Sequence, residues 1–84
     1  MAATAPDFFF WTSSVELGEA VLVSRKALGI SQLELARRAG VGHRFLYDLE
    51  RGKGTLRVDK VMAVLEALEL MPLIVPRALA AMLR

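Results

Sequence analysis

The sequence predicts one small all-α domain of four to five helices, with short strands at its two ends. Three observations carry that expectation. Ser13 with Glu16 and Ser31 with Glu34 repeat the spacing of a capping box, in which a hydroxyl accepts from the amide three residues on while the carboxylate reaches back. Gly29 and Gly40 each follow the last residue of an apolar period, where a left-handed C-cap favours a residue without a Cβ. Between these marks apolar residues recur at i, i+3 and i+4, the spacing of one helical face.

The elements follow in order. Residues 1–7 are small and polar with Pro6, which reads as a loose arm. Phe8-Phe9-Phe10-Trp11 has strand propensity and is too apolar to stay in water. It either covers this domain's own core or forms a short strand at a dimer or partner interface, where aromatics are enriched. A stacking platform for bases ranks third, because no basic residue is interleaved. The first helix is expected from about residue 14 to Leu28, with Leu17, Ala20, Val21, Ser24 and Leu28 on one side. The second opens after Ser31 and buries Leu35, Ala36 and Ala39, with Val41 as an apolar plug in the turn. A third begins at about His43. At roughly 100° per residue, Phe45, Leu46, Leu49 and Glu50 share one arc, and His43, Arg44, Tyr47, Asp48 and Arg51 share the other. After a basic loop anchored by Leu56, a fourth helix from about Val58 to Glu69 has Val61, Met62, Leu65 and Leu68 as its buried stripe. Leu73-Ile74-Val75 between Pro72 and Pro76 reads as an edge strand, paired with the aromatic run or with a second copy. Arg77 to Leu83 adds a last helical turn or two, with Pro76 at its first position. The chain thus divides into an arm (1–13), a helical domain (14–69) and a tail (70–84).

Composition narrows the functions. With 84 residues there is room for one domain, and a chain this short buries only roughly 60% of its unfolded surface, so a partner subunit would help. There is no cysteine, hence no disulfide or thiolate metal site. No apolar run approaches the roughly 20 residues of a membrane span, and no secretion signal is recognisable; a cytoplasmic protein is expected. His43 is the single histidine and has no second ligand at metal spacing. Arg51-Gly52-Lys53-Gly54 lacks the spacing of a phosphate-binding loop. Catalysis, metal and cofactor are therefore not expected. Charge is uneven: residues 25–60 hold nine Lys and Arg against four acids, whereas the first 24 residues have three acids and no base. Such a basic middle either solvates helices or marks a nucleic-acid face.

The stretch Ser31-Gln32, Leu35-Ala36, Ala39-Gly40-Val41, Leu46, Leu49-Glu50 and Gly52 resembles the phage-repressor-like (Xre) helix-turn-helix family. The resemblance implies a lambda-repressor-like domain whose second motif helix lies in the major groove of double-stranded DNA. That placement sets His43, Arg44, Tyr47 and Asp48 against the bases. Arg44 would read guanine O6 and N7; Asp48 would accept from cytosine N4 or merely orient Arg44; His43 would donate to a base or phosphate; Tyr47 would touch a thymine methyl or a phosphate. The family pattern further implies that Gln32 bonds a phosphate and braces the recognition helix. Arg38, Arg51, Lys53, Thr55 and Arg57, and in the alternative Arg37, would meet phosphates. It also implies an ion pair of Arg25 with Glu50. Gly42 departs from the pattern, since the family usually has Ser or Thr there and glycine supplies no hydroxyl.

A longer run, from Arg25-Lys26-Ala27-Leu28-Gly29 through Asp48-Leu49-Glu50-Arg51-Gly52-Lys53 to Val64-Leu65 and Ala67-Leu68, is similar to the HipB-like antitoxin branch of type II toxin-antitoxin systems. That branch implies a homodimer joined partly through the C-terminal strand. It would repress its own operon at a palindromic operator and bind a HipA-like kinase toxin. Phe8, Phe9, Phe10, Trp11, Leu73, Ile74 and Val75 are the expected dimer or partner interface. An autonomous repressor without a toxin, and a helical adaptor that contacts only proteins, are the alternative readings.

Overall fold

A computed structural model describes residues 8–83. The expectation for residues 1–7 lies outside them. Five helices follow one another: α1 (Ser14–Ala27), α2 (Gln32–Ala39), α3 (His43–Glu50), α4 (Val58–Ala67) and α5 (Arg77–Leu83). Among the described residues there is no strand. Both strand expectations are thereby corrected. Phe8 to Trp11 and Leu73 to Val75 run as irregular backbone, because a ladder needs a partner and neither segment meets one within this chain.

The helix starts obey the local chemistry. The Ser13 hydroxyl accepts from the Glu16 amide at 3.2 Å, and that of Ser31 from the Glu34 amide at 3.0 Å. Only half of each capping box forms as expected. The Glu16 carboxylate reaches back to the Thr12 amide, one residue further than the motif asks, and Glu34 turns instead to Arg37 and Arg38. Gly40 closes α2 at φ 70°, in the left-handed region. At the far end Pro76 stands just outside α5, and its carbonyl accepts from the Ala80 amide.

Val21, Leu35, Ala36, Leu46, Leu49, Val64, Leu65 and Leu68 form the core, and Leu17, Val41, Phe45, Leu56 and Val61 pack around it. α1 lies against α3, and α2 against both α3 and α4. Two stripes need correction. Leu28 caps α1 and is exposed, and in α4 it is Val64 that is buried while Met62 is open to solvent. A helix's phase about its own axis is set by the neighbours it meets, and one residue of error turns the stripe by roughly 100°.

The aromatic run does not cover the core: Phe8 is 79% exposed, and Phe10 and Trp11 are open as well. The tail is equally uncovered, with Ile74 98% exposed and no buried residue in α5. No helix of the described residues is long and apolar enough to cross a membrane.

One contact positions α3. α1 crosses α3 at Gly18, where a Cβ would collide with the Leu49 carbonyl oxygen and stand 3.0 Å from that of Glu50. Backbone atoms cannot rotate away, so the two helices touch only because this residue is glycine. Gly18→Ala is expected to destabilise the domain by about 1–3 kcal/mol, the usual range for overpacking, despite the better helix propensity of alanine. Urea unfolding checks this; a variant as stable as the parent would mean that the crossing is looser than described.

Candidate nucleic-acid interface

α3 is two-faced by sequence. Leu46 and Leu49 are wholly buried, while His43, Arg44 and Tyr47 are exposed and together line a shallow depression on the outer side. Gly42 caps the helix without a side-chain hydrogen bond. Eight residues are too few for a helix to persist by itself in water, so its orientation must come from what holds it.

The hold is an ion pair followed by a chain of hydrogen bonds. Arg25 Nε donates to Glu50 Oε2 at 2.6 Å and Nη2 to Oε1 at 2.9 Å, a two-pronged pair with side chains only 11% and 4% exposed. Its third nitrogen, Nη1, donates to the Ile30 carbonyl at 2.9 Å and fastens the link between α1 and α2. Glu50 Oε1 also accepts from Gln32 Nε2 at 2.9 Å, and Gln32 Oε1 lies 3.2 Å from His43 Nε2. The last residue of α3 is thereby tied to α1 and α2, and the first is tied to α2. The expected bracing by Gln32 takes the form of these two bonds, one from each end of its amide.

On the outer face a second cluster forms. Asp48 Oδ1 pairs with Arg44 Nε at 3.3 Å and Oδ2 with Lys53 Nζ at 3.6 Å. The Asp48 side chain is 16% exposed against 81% for Arg44, so the carboxylate sits beneath and the guanidinium reaches out. This geometry suits the orienting role rather than a base contact of its own. Tyr47 lies between two guanidinium groups, Arg44 and Arg51, at 5.2 and 5.3 Å from its ring centroid, and its hydroxyl accepts from Arg51 Nη1 at 2.8 Å. Cation–π contact of this kind holds long side chains near one place.

The other residues expected at phosphates have different partners. Arg38 and Arg37 both bind Glu34, and Arg57 binds Asp59 at 2.6 Å, while Thr55 is exposed. Hydrogen bonds from Arg37 and then Arg38 lower the Glu34 pKa from 4.5 to about 2. The bond from Arg57 likewise holds Asp59 below the ordinary carboxylate range.

Two features went unread in the sequence. The Ser14 hydroxyl donates to the Gly52 carbonyl at 3.0 Å, pinning the start of the basic loop against α1. Gly52 itself has φ 82°, and a Cβ there would press on Val15 Cα at 2.8 Å. The residues involved are 38 positions apart, and no local pattern signals the bond. The stacking of Arg44, Tyr47 and Arg51, by contrast, follows from i, i+3 and i+7 spacing on one helix face.

A helix-turn-helix family model matches residues 24–73. A protein of Sinorhizobium fredii, named as an uncharacterized HTH-type transcriptional regulator, is 47% identical over 53 residues, which span 63% of this chain and 70% of the relative.

Glu50→Ala leaves the Arg25 charge buried without its partner. Such losses cost about 3–5 kcal/mol, and a strong fall in the melting temperature is expected; an unchanged melting curve would refute the role given to the pair. For Glu34, the folded pKa lies below the ordinary value, so its pairing stabilises fully above pH 4.5 and is lost as the pH falls through about 2. Because these groups are solvent-screened, the effect on stability is small. A carboxyl resonance titrating near 4.5 rather than about 2 would show the pairing to be absent in solution.

Proposed function

The chain belongs to the helix-turn-helix family, and on that premise we propose that it is a sequence-specific DNA-binding transcriptional repressor. The observation that carries this reading is the outward polar face of α3, held from behind by a buried ion pair while its apolar residues anchor in the core. Seated in a major groove, that face sets His43, Arg44 and Tyr47 toward base edges, with Asp48 orienting Arg44. Arg44 is the principal reader of guanine. Lys53, Arg51, Thr55 and Arg57 from the following loop, and Gln32 and Arg38 from α2, supply phosphate contacts, which fix position and carry no sequence information themselves.

The repressor works as a homodimer on a palindromic operator. The apolar surface of Phe8, Phe10, Trp11, Leu73 and Ile74 supports this, since so large an uncovered area favours association. Phe9 and Val75 belong to the same interface. We further place it as the antitoxin of a type II module, repressing its own operon in the cytoplasm and binding a HipA-like kinase; the support is the similarity of the Arg25 to Leu68 run to that branch. A second reading is a repressor without a toxin; the Sinorhizobium relative is named as an HTH-type transcriptional regulator.

The test is titration with duplex DNA at several salt concentrations. If about four phosphates are met by each of two subunits, the slope of log K against log salt should be about −7. Arg44→Ala should lower discrimination at its base pair by about 1–3 kcal/mol while leaving nonspecific binding in place. A slope near zero, or a variant that discriminates as well as the parent, would defeat the proposal.

A further inference from the structure

The hydrogen bonds that begin at the buried ion pair have a direction. The Glu50 carboxylate offers only lone pairs, so Gln32 turns its amide nitrogen toward it, with Nε2 2.9 Å from Oε1. The same turn leaves the Gln32 carbonyl oxygen facing His43 Nε2 at 3.2 Å. A carbonyl oxygen only accepts, so that ring nitrogen must hold the proton. In a neutral imidazole one nitrogen is a donor and the other an acceptor, and the bond made by one decides the role of the other. With the proton committed at Nε2, Nδ1 presents a lone pair.

We infer that His43 is a specificity-determining residue that accepts, through Nδ1, a hydrogen bond from the exocyclic amino group of a base, and so selects adenine or cytosine over guanine or thymine on the strand it faces. The inference rests on the DNA-binding reading above and deepens it. Adenine N6 and cytosine N4 donate into the major groove, whereas guanine N7 and O6 and thymine O4 accept. The exposed guanidinium of Arg44, the next residue, only donates. Two neighbours at the start of α3 therefore divide the recognition, a donor fork for guanine and an acceptor for an amino base. The expectation of His43 as a hydrogen-bond donor to DNA is reversed, because its donor is already used inside the protein. Gln32 acts here as a positioning residue, passing the polarity of Glu50 to the imidazole.

Selection from a randomised duplex library at mildly alkaline pH tests this, using the wild type, His43→Ala, Gln32→Leu and Arg44→Ala. The imidazole nitrogen shifts of the free protein are recorded alongside, and the single histidine makes them unambiguous. The expected result is an unprotonated Nδ1 and an enrichment of adenine or cytosine by about fivefold to tenfold at one position, the worth of one hydrogen bond. His43→Ala and Gln32→Leu lose that enrichment and keep the guanine preference that Arg44→Ala removes. A proton on Nδ1, a His43-dependent preference that persists when the selected amino base is replaced by its analogue lacking the exocyclic amino group, or a Gln32→Leu variant that keeps the enrichment overturns the inference and leaves DNA binding standing. Recovery of no duplex by the wild type overturns the DNA-binding reading, and the inference falls with it.

Discussion

Burying a guanidinium and a carboxylate together is a poor way to gain net stability, because both lose their water. It is an effective way to fix geometry. Arg25 and Glu50 tolerate their burial because both prongs of the guanidinium meet both carboxylate oxygens, its third nitrogen donates to Ile30, and Glu50 accepts a further bond from Gln32. Satisfying all of these at once leaves one arrangement of α1, the link to α2, the start of α2 and the end of α3. The exposed face of α3 inherits that rigidity. A recognition surface needs it, since a contact to a base edge discriminates only if the side chain arrives at a defined place.

The close crossing at Gly18 and the pin from Ser14 to Gly52 add two more contacts from α1 to the same end of α3 and the loop that follows it. α1 thus grips the C-terminal end of α3 and the loop after it, through backbone contact at Gly18 and polar contacts from Arg25 and Ser14. Against this firm centre the two termini contrast sharply. The segment from Met71 to Leu83 and the aromatic run expose apolar side chains that the domain's own core does not use. In the proposed function these surfaces belong to the association of copies, while the charged face is left for nucleic acid.

Much of the domain was legible because its signals are short. A hydroxyl that accepts from an amide three residues on, a glycine at a left-handed C-cap and a stripe at i, i+3, i+4 all fall within one or two helical turns, so the starts of α1, α2 and α3 could be read directly. The polar arc of α3 was legible for the same reason. Phe8 to Trp11 and Leu73 to Val75 misled, because β-propensity reports suitability for a pleated surface and not the presence of a neighbouring strand. Met62 and Val64 exchanged roles because periodicity fixes the spacing of a stripe and leaves its rotation to packing.

Sequence alone determined that this chain forms capped helices, that one of them carries a polar side, and that cations gather around it, since each of these depends on residues a few positions apart. Tertiary structure alone decided which partners those side chains meet. The bonds joining Arg25 and Gln32 to the end of α3, and Ser14 to the loop after it, span 25, 18 and 38 positions, and the pair of Arg25 with Glu50 was anticipated only through resemblance. The physical reason is that a hydrogen-bonding group has many chemically acceptable partners along a chain, and only the packed core brings one of them within reach.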